Sequence, residues 1–188
     1  MKINANSIRP GNVLEHNKRL WSVAKISHTQ PGKGGAYIQV EMKDIKTGTK
    51  LNERFRSSED VERAHLDAKE YQYLFTEGEF LTLMDNDTYE QIQVNKELAG
   101  DAGVFLQDAM EITVISYEGA PISIELPEDV TLEVVESEAV VKGQTAASSN
   151  KPAILENGVR VMVPPFIEVG TKIVVKTADG SYVERAKS

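Results

Sequence analysis

Lys33 lies in a segment whose residue types could present a single amine to a ligand. The segment 30–36 reads Gln-Pro-Gly-Lys-Gly-Gly-Ala. Its supporting residues are Pro31, Gly32, Gly34 and Gly35. Glycines leave room for a ligand to approach the backbone closely, and the lysine amine suits both phosphate contact and covalent extension. Glycine and proline also form plain turns, so these residues alone leave open a merely solvated Lys33.

No pattern in the sequence indicates catalysis. Lys33 is not part of a nucleotide-binding phosphate loop, because the preceding glycine spacing and the following Ser or Thr are missing. A nucleophile elbow, a metal-binding helix motif and a paired acid and base are also missing. The chain has no cysteine, and its three histidines, His16, His28 and His65, are far apart in sequence. We therefore expect a protein that is not an enzyme and that has no catalytic residue, metal or cofactor.

Charge is distributed unevenly along the 188 residues, whose net charge is −8. Residues 1–65 hold 12 Lys/Arg against 7 Asp/Glu, residues 66–128 hold 2 against 14, and residues 129–188 hold 7 against 8. Because phosphate binding depends on Lys and Arg, the basic N-terminal part is expected to face nucleic acid. The acidic middle part is interpreted as a solvated surface without a ligand.

Short runs rich in Val, Ile, Thr and Tyr, bounded by Gly, Pro, Asn and Asp, predict an all-β fold. Apolar and polar residues alternate over 37–42, and a strand at about 20–27 is the natural hairpin partner, with Trp21 in the core. This hairpin would carry Lys33 at its tip. Two later units of about 60 residues suit small five-stranded oligonucleotide-binding (OB) barrels, although the pattern also allows a sandwich. We expect three domains, at residues 1–65, 66–128 and 129–188.

The first residues contain no apolar signal core, and no run of about 18 apolar residues could span a bilayer. A soluble cytoplasmic protein without a membrane partner is therefore expected.

The C-terminal part resembles the signature of a known family. Residues 151–158 read Lys-Pro-Ala-Ile-Leu-Glu-Asn-Gly, and the likeness continues through 161–170 to 177–182. These stretches closely resemble the C-terminal signature of elongation factor P. Residues 8–11 and 31–34 resemble the N-terminal domain of the same family, so the likeness covers essentially the whole chain. The Pro-Gly-Lys-Gly loop favours the main branch over the paralogous one without settling the choice.

This resemblance implies an SH3-like (KOW-like) N-terminal barrel, a central OB domain and a C-terminal OB domain. It also implies a monomeric translation elongation factor that binds the ribosome, ribosomal RNA and peptidyl-tRNA. Such a factor stimulates peptide-bond formation and relieves stalling at consecutive prolines. Many members carry a β-lysyl extension on the matching lysine, so a lysine-modifying enzyme is expected to act on Lys33.

The resemblance also implies RNA contacts near the C-terminus. Tyr182 and Arg185 match tRNA-contacting positions, although a packed aromatic and a solvated tail residue are the simpler interpretations. The loop matching the codon-side contact consists of Gly143, Gln144, Thr145 and Ala146. Gln144 replaces its usual acidic residue, and Thr171 and Lys176 stand where acidic residues are frequent.

Two other classes of function remain. A general single-stranded nucleic-acid-binding protein could use the same barrels. The acidic middle part and an aromatic content of 6% argue against it, because such grooves need positive charge and stacking platforms. An enzyme with an unrecognised carboxylate site would be indicated by turnover that survives the loss of Lys33.

Overall fold

The computed structural model describes residues 1–138 and 149–187. The fold is all-β, as predicted. The strands of the first sheet are β1 (Lys2–Asn4), β2 (Val13–His16), β3 (Arg19–Thr29), β4 (Tyr37–Asp44), β5 (Lys50–Arg56) and β6 (Asp60–Arg63). Those of the second are β7 (Asp67–Glu77), β8 (Phe80–Asp85), β9 (Gln91–Asn95), β10 (Glu111–Tyr117) and β11 (Ala120–Glu125). Those of the third are β12 (Asp129–Ser137), β13 (Lys151–Leu155), β14 (Arg160–Val163), β15 (Lys172–Lys176) and β16 (Tyr182–Arg185).

The first sheet has the order β1-β6-β2-β3-β4-β5. Alternation along β4 buries Ile38, Val40 and Met42 completely, as their spacing predicts. Trp21 on β3 is 4% exposed in the same core, and its indole N–H donates to the carbonyl of His16 at 3.0 Å. The expected hairpin is therefore present, and its two strands extend beyond the predicted bounds.

The second sheet has the order β11-β10-β7-β8-β9. After β9 the chain forms a 3-10 helix over Lys96–Phe105, with a kink at Gly100, where φ is +58°. Asn95 caps this helix, because its side-chain oxygen accepts the backbone N–H of Glu97 at 2.9 Å.

The third sheet has the order β14-β13-β12-β15-β16. Its core includes a residue from outside the sheet, because Phe105 at the end of the 3-10 helix is 4% exposed within the same apolar cluster. Met110 and Leu126 are partly buried against this cluster.

Contacts divide the chain into two compact units. The first contains Met1–Lys69 and Val114–Ser123, and the second contains Glu70–Thr113 and the chain from Ile124 onward. The domain boundaries at residues 65 and 128 remain a prediction. Within the described ranges, no helix has the length and apolar character needed to cross a membrane.

Candidate RNA-facing hairpin

Lys33 lies in the loop that joins β3 to β4, beyond the last paired residues of the hairpin. The two strands pair antiparallel from Trp21 opposite Asp44 to Thr29 opposite Tyr37. Lys33 is exposed, as are its four supporting residues of the loop. Gly34 has a φ of +113°, a backbone conformation that residues other than glycine rarely adopt. The glycine spacing therefore shapes a tip at which the lysine amine meets solvent.

The return side of this loop is fixed to the turn between β5 and β6. The backbone N–H of Ser57 donates to the carbonyl of Ala36 at 3.0 Å. The turn is closed by the backbone N–H of Glu59, which donates to the Arg56 carbonyl at 2.9 Å. In the other direction, the Arg56 N–H donates to a carboxylate oxygen of Glu59 at 3.1 Å. The tip is exposed while its base is anchored.

Arg54 stacks on the aromatic ring at the foot of the loop. Its guanidinium carbon lies 4.3 Å from the centroid of the Tyr37 ring. Arg54 lies opposite Gln39 and Arg56 opposite Tyr37, so Arg54 reaches Tyr37 as a diagonal neighbour across the two strands. A cation over an aromatic face is attracted by the ring quadrupole, which restrains the guanidinium.

The outward face of β3, β4 and β5 is basic. Side chains along a strand point alternately into the core and out to solvent. The exposed cationic residues that point outward are Lys25, Lys43, Lys50, Arg54 and Arg56. Glu41 is an acidic residue of the same face, opposite Lys25 and Asn52. The face that leads to Lys33 therefore has a net positive charge suited to phosphate.

A buried carboxylate fixes the opposite end of β4. One oxygen of Asp44 accepts the backbone N–H groups of Lys46 at 2.8 Å and Thr47 at 3.1 Å. The other oxygen lies 3.4 Å from a guanidinium nitrogen of Arg19. Burial acts to raise the pKa of Asp44, but these two N–H donors and the Arg19 charge outweigh it and hold the pKa below its ordinary value of 3.8.

The C-terminal residues singled out from the sequence differ in exposure. Tyr182 is partly buried and packs against the core of the third sheet, opposite Val175. Arg185 lies on β16 with Tyr182, where it is exposed and pairs with Ile173 of β15. The packed-aromatic interpretation therefore describes the ring of Tyr182, whereas the guanidinium of Arg185 is open to a ligand. Gly143, Gln144, Thr145 and Ala146 lie outside the described residues.

Three family models match successive parts of the chain. They are the elongation factor P KOW-like domain at residues 4–61, its OB domain at 66–124 and its C-terminal domain at 130–185. Elongation factor P of Zymomonas mobilis is 61% identical over 186 residues, which cover 99% of this chain and 100% of that protein. Elongation factor P of Rhodospirillum centenum is 56% identical over 187 residues and covers 100% of both chains. The chain belongs to the elongation factor P family.

The likeness of this chain to solved structures shows its fold alone. Eukaryotic translation initiation factor 5A from Methanococcus jannaschii superposes with a TM-score of 0.57 at 24% identity, covering 67% of this chain and 92% of that chain. A translation initiation factor 5A family protein from Naegleria fowleri gives a TM-score of 0.56 at 17% identity, covering 67% of this chain and 98% of that one. The family and the all-β KOW-like and OB architecture predicted from the sequence are confirmed.

Backbone hydrogen bonds hold Thr171 and Lys176, the two positions at which the resemblance led us to expect acidic residues. Thr171 accepts the backbone N–H of Val134 at 2.9 Å through its carbonyl, and its own N–H donates to Glu168 at 3.1 Å. The backbone of Lys176 bonds to the loop that follows β15. Its carbonyl accepts the N–H of Gly180 at 2.8 Å, and its own N–H donates to the carbonyl of Ser181 at 2.9 Å. These hydrogen bonds join backbone atoms and do not involve the two side chains.

Arg54 and Arg56 were missed by the sequence reasoning. The signal was present, because basic residues occur at positions 50, 54 and 56 of a strand and share one face by alternation. Without the pairing of β4 with β5, however, nothing in the sequence connects these residues to the foot of the Lys33 loop. Within the described ranges, no group of three potential metal-binding side chains lies together.

Proposed function

We propose that this elongation factor binds the ribosome beside peptidyl-tRNA and stimulates peptide-bond formation where consecutive prolines stall synthesis. The observation that carries the proposal is the geometry of the tip. Lys33 is exposed on a loop whose base is tied to β5 and β6, and the outward face leading to it is basic. Within the described residues, its amine has neither a hydrogen-bond nor an ion-pair partner, so it can contact RNA or be extended covalently.

The mechanism is catalysis by orientation. Proline is conformationally constrained, and consecutive prolines hold the nascent chain in arrangements that are poor for peptidyl transfer. A factor that holds the acceptor end of peptidyl-tRNA in a reactive arrangement lowers the barrier by reducing the orientational freedom lost at the transition state. This role needs a contact group at the right place and no acid or base. Lys33 supplies that contact, and extension by a modifying enzyme would lengthen its reach.

The C-terminal RNA contacts are proposed with two kinds of residue. Arg185 presents an exposed guanidinium, and Tyr182 offers the open part of its partly buried ring. Gly143, Gln144, Thr145 and Ala146 are proposed, on the family resemblance, to approach the codon side. The factor is expected to act as a monomer in the cytoplasm, with no membrane partner and no cofactor.

The test is a reconstituted translation system that makes a reporter containing consecutive prolines. Intact mass first establishes whether Lys33 is modified in the protein used. The wild type should restore full-length product and Lys33→Ala should not. The matched control is Lys46→Ala, since Lys46 is also an exposed loop lysine but lies at the opposite end of β4.

A second substitution separates charge from covalent chemistry. Lys33→Arg keeps the positive charge but removes the amine that a lysine-specific enzyme extends. Restored synthesis with Arg would assign the function to charge alone, and its loss would assign it to the extended lysine. Full activity of folded Lys33→Ala would refute the role of the tip. Failure of the correctly modified wild type would favour general single-stranded nucleic-acid binding.

A further inference from the structure

A groove of about 760 Å³ lies beside the foot of the Lys33 loop. Residues of the loop and of β5 line it, and they are Gly35, Ala36, Tyr37, Arg54, Arg56, Ser57, Ser58 and Glu59. Two guanidinium groups and two hydroxyls in one concavity are the donor set that binds phosphate oxygens. Of Lys33 and its four supporting residues, only Gly35 also lines this groove, which the sequence reasoning did not find.

Charge within the groove favours an anion. Glu59 is the one acidic residue among the lining residues, and its carboxylate already accepts the backbone N–H of Arg56. Within residues 1–138 and 149–187, the guanidinium of Arg56 has no ion-pair or hydrogen-bond partner, and that of Arg54 contacts the Tyr37 ring. Two arginines and one carboxylate therefore line the groove, which gives it a net positive charge that favours an anion.

The position of Arg54 selects the part of a nucleic acid that the groove can contact. Because its guanidinium covers the Tyr37 ring at 4.3 Å, that aromatic face is not available for a base to stack on. Arg54 and Arg56 are two residues apart on one face of β5, so their Cα atoms are separated by about 7 Å along the strand. Two cations spaced in this way along a strand suit successive phosphates of a backbone, and phosphate contacts carry no sequence information.

We propose that this groove is a clamp for RNA backbone phosphates, with Arg54 pre-positioned by Tyr37 and Arg56 as its partner cation. The hydroxyls of Ser57 and Ser58 supply further donors to the same phosphates. The inference deepens the proposed function, on which it rests for the identity of the polymer, by naming residues that hold RNA independently of Lys33. Binding should be insensitive to RNA sequence and strongly dependent on salt.

The experiment measures binding of the full chain to a fluorescein-labelled RNA hairpin with an unpaired 3′ end. Fluorescence anisotropy gives the binding constant at a series of KCl concentrations from about 50 to 300 mM, over which counterion release is pronounced. The variants are Arg54→Ala and Arg56→Ala. Lys46→Ala is the matched control, because it removes an exposed lysine that lies outside both the groove and the basic face of β3, β4 and β5.

Each arginine variant should lower the slope of log binding constant against log salt by about 0.7 to 0.9, the loss of one phosphate contact. Lys46→Ala should leave that slope unchanged. Tyr37→Leu should weaken binding less than Arg54→Ala, since it keeps the cation but removes the surface that restrains it. Circular dichroism of each variant checks that the fold is retained.

Three outcomes would overturn the clamp. They are an unchanged slope in both arginine variants, an equal loss in all three charge variants, and no binding of the wild type to the hairpin. Intact mass of Lys33 in the same variants tests a protein partner: lost modification with normal RNA binding would make the groove an enzyme docking site instead. The translation assay with Lys33 variants is independent of the RNA-binding assay with arginine variants. The proposed function can therefore be refuted while the clamp is supported, and the clamp can be refuted while the proposed function is supported.

Discussion

At the scale of single residues, the β3–β4 hairpin has a solvated cation beyond one end and a buried anion at the other. Lys33 was predicted because glycines on both sides of one lysine are visible in the sequence. The buried state of Asp44 was not predicted. An aspartate at the end of a strand ordinarily indicates a solvated turn, but the register of β4 pairs Asp44 with the buried Trp21, and Arg19 on β3 lies within reach of its carboxylate. Side chains whose role depends on a cross-strand neighbour escape sequence reasoning.

Replacing Asp44 should change how the protein responds to acid. Asp44→Asn keeps an acceptor oxygen but loses the charge that Arg19 and two backbone donors stabilise. We expect the free energy of unfolding at pH 7 to fall by about 1 to 3 kcal/mol. Because the folded pKa is lowered, this contribution is present above the ordinary value of 3.8 and is lost as pH falls through the folded pKa.

The measurement is urea unfolding of wild type and variant from pH 7 to about pH 2, across the range where the carboxylate protonates. The gap between the two proteins should narrow at the acidic end. The control is Asp60→Asn, which removes an exposed carboxylate from the same unit. A gap that stays constant across the range would show that the charge of Asp44 is not what stabilises the turn.

At the scale of elements, three hairpins share one loop design. Five residues join β4 to β5, β8 to β9 and β15 to β16. In each loop, the fourth residue after the strand donates its N–H back to the carbonyl of the last strand residue, at 2.9 Å for Gly48 and Tyr89 and 2.8 Å for Gly180. These three residues all have positive φ, of +75°, +61° and +73° in that order. The sequence hid this likeness, because two of the positions are glycine and one is tyrosine.

Tyr89 is the strained member of this set. An L-residue in the left-handed region is disfavoured by about 1 to 2 kcal/mol, and the side chain is 71% exposed, so it gains little packing in return. We expect Tyr89→Gly to stabilise the protein by about 1 kcal/mol. Calorimetry should show the affected unfolding transition at a higher temperature. Tyr89→Ala is the control, because it removes the ring but keeps the Cβ, and it should give no gain.

If the alanine variant stabilised the protein as much as glycine does, the cause would be the ring and not the backbone. The loop between β15 and β16 offers the reverse substitution, in which Gly180 would gain a side chain. An added Cβ would lie 3.3 Å from Cζ of Phe105, and the residue would have a φ that residues with a Cβ disfavour.

At the scale of the whole molecule, the three sheets could be predicted from the sequence more fully than the packing of residues against them. Alternation and turn residues are local, so most strands could be predicted, and the family signature gave the architecture. The burial of Phe105 in the core of the third sheet could not be predicted. That contact joins a residue before position 128 to strands after it, and nothing in the local pattern around Phe105 distinguishes one core from another.

A truncation tests this shared packing. Removing residues 129–188 would uncover Phe105, Met110 and Leu126, which lie against the core of the third sheet. We expect residues 1–128 to unfold at a lower temperature than the full chain and to associate through the uncovered apolar surface. Thermal unfolding and size-exclusion chromatography provide the measurements. In the full chain, Phe105→Ala should cost about 3 to 5 kcal/mol through the cavity it leaves.

A fragment that stayed monomeric and melted like the intact protein would contradict this expectation. It would instead support an independent second domain ending at residue 128.

The position of Trp21 makes the protein a spectroscopic reporter of one of its own parts. It is the one tryptophan in the sequence, and it is 4% exposed beneath the first sheet. Its emission should be blue-shifted in the native state and should move to the red only when that sheet opens. Far-ultraviolet circular dichroism, by contrast, averages over all strands. The difference between the two signals during denaturation would therefore measure whether the Lys33-bearing barrel unfolds together with the remainder of the chain or ahead of it.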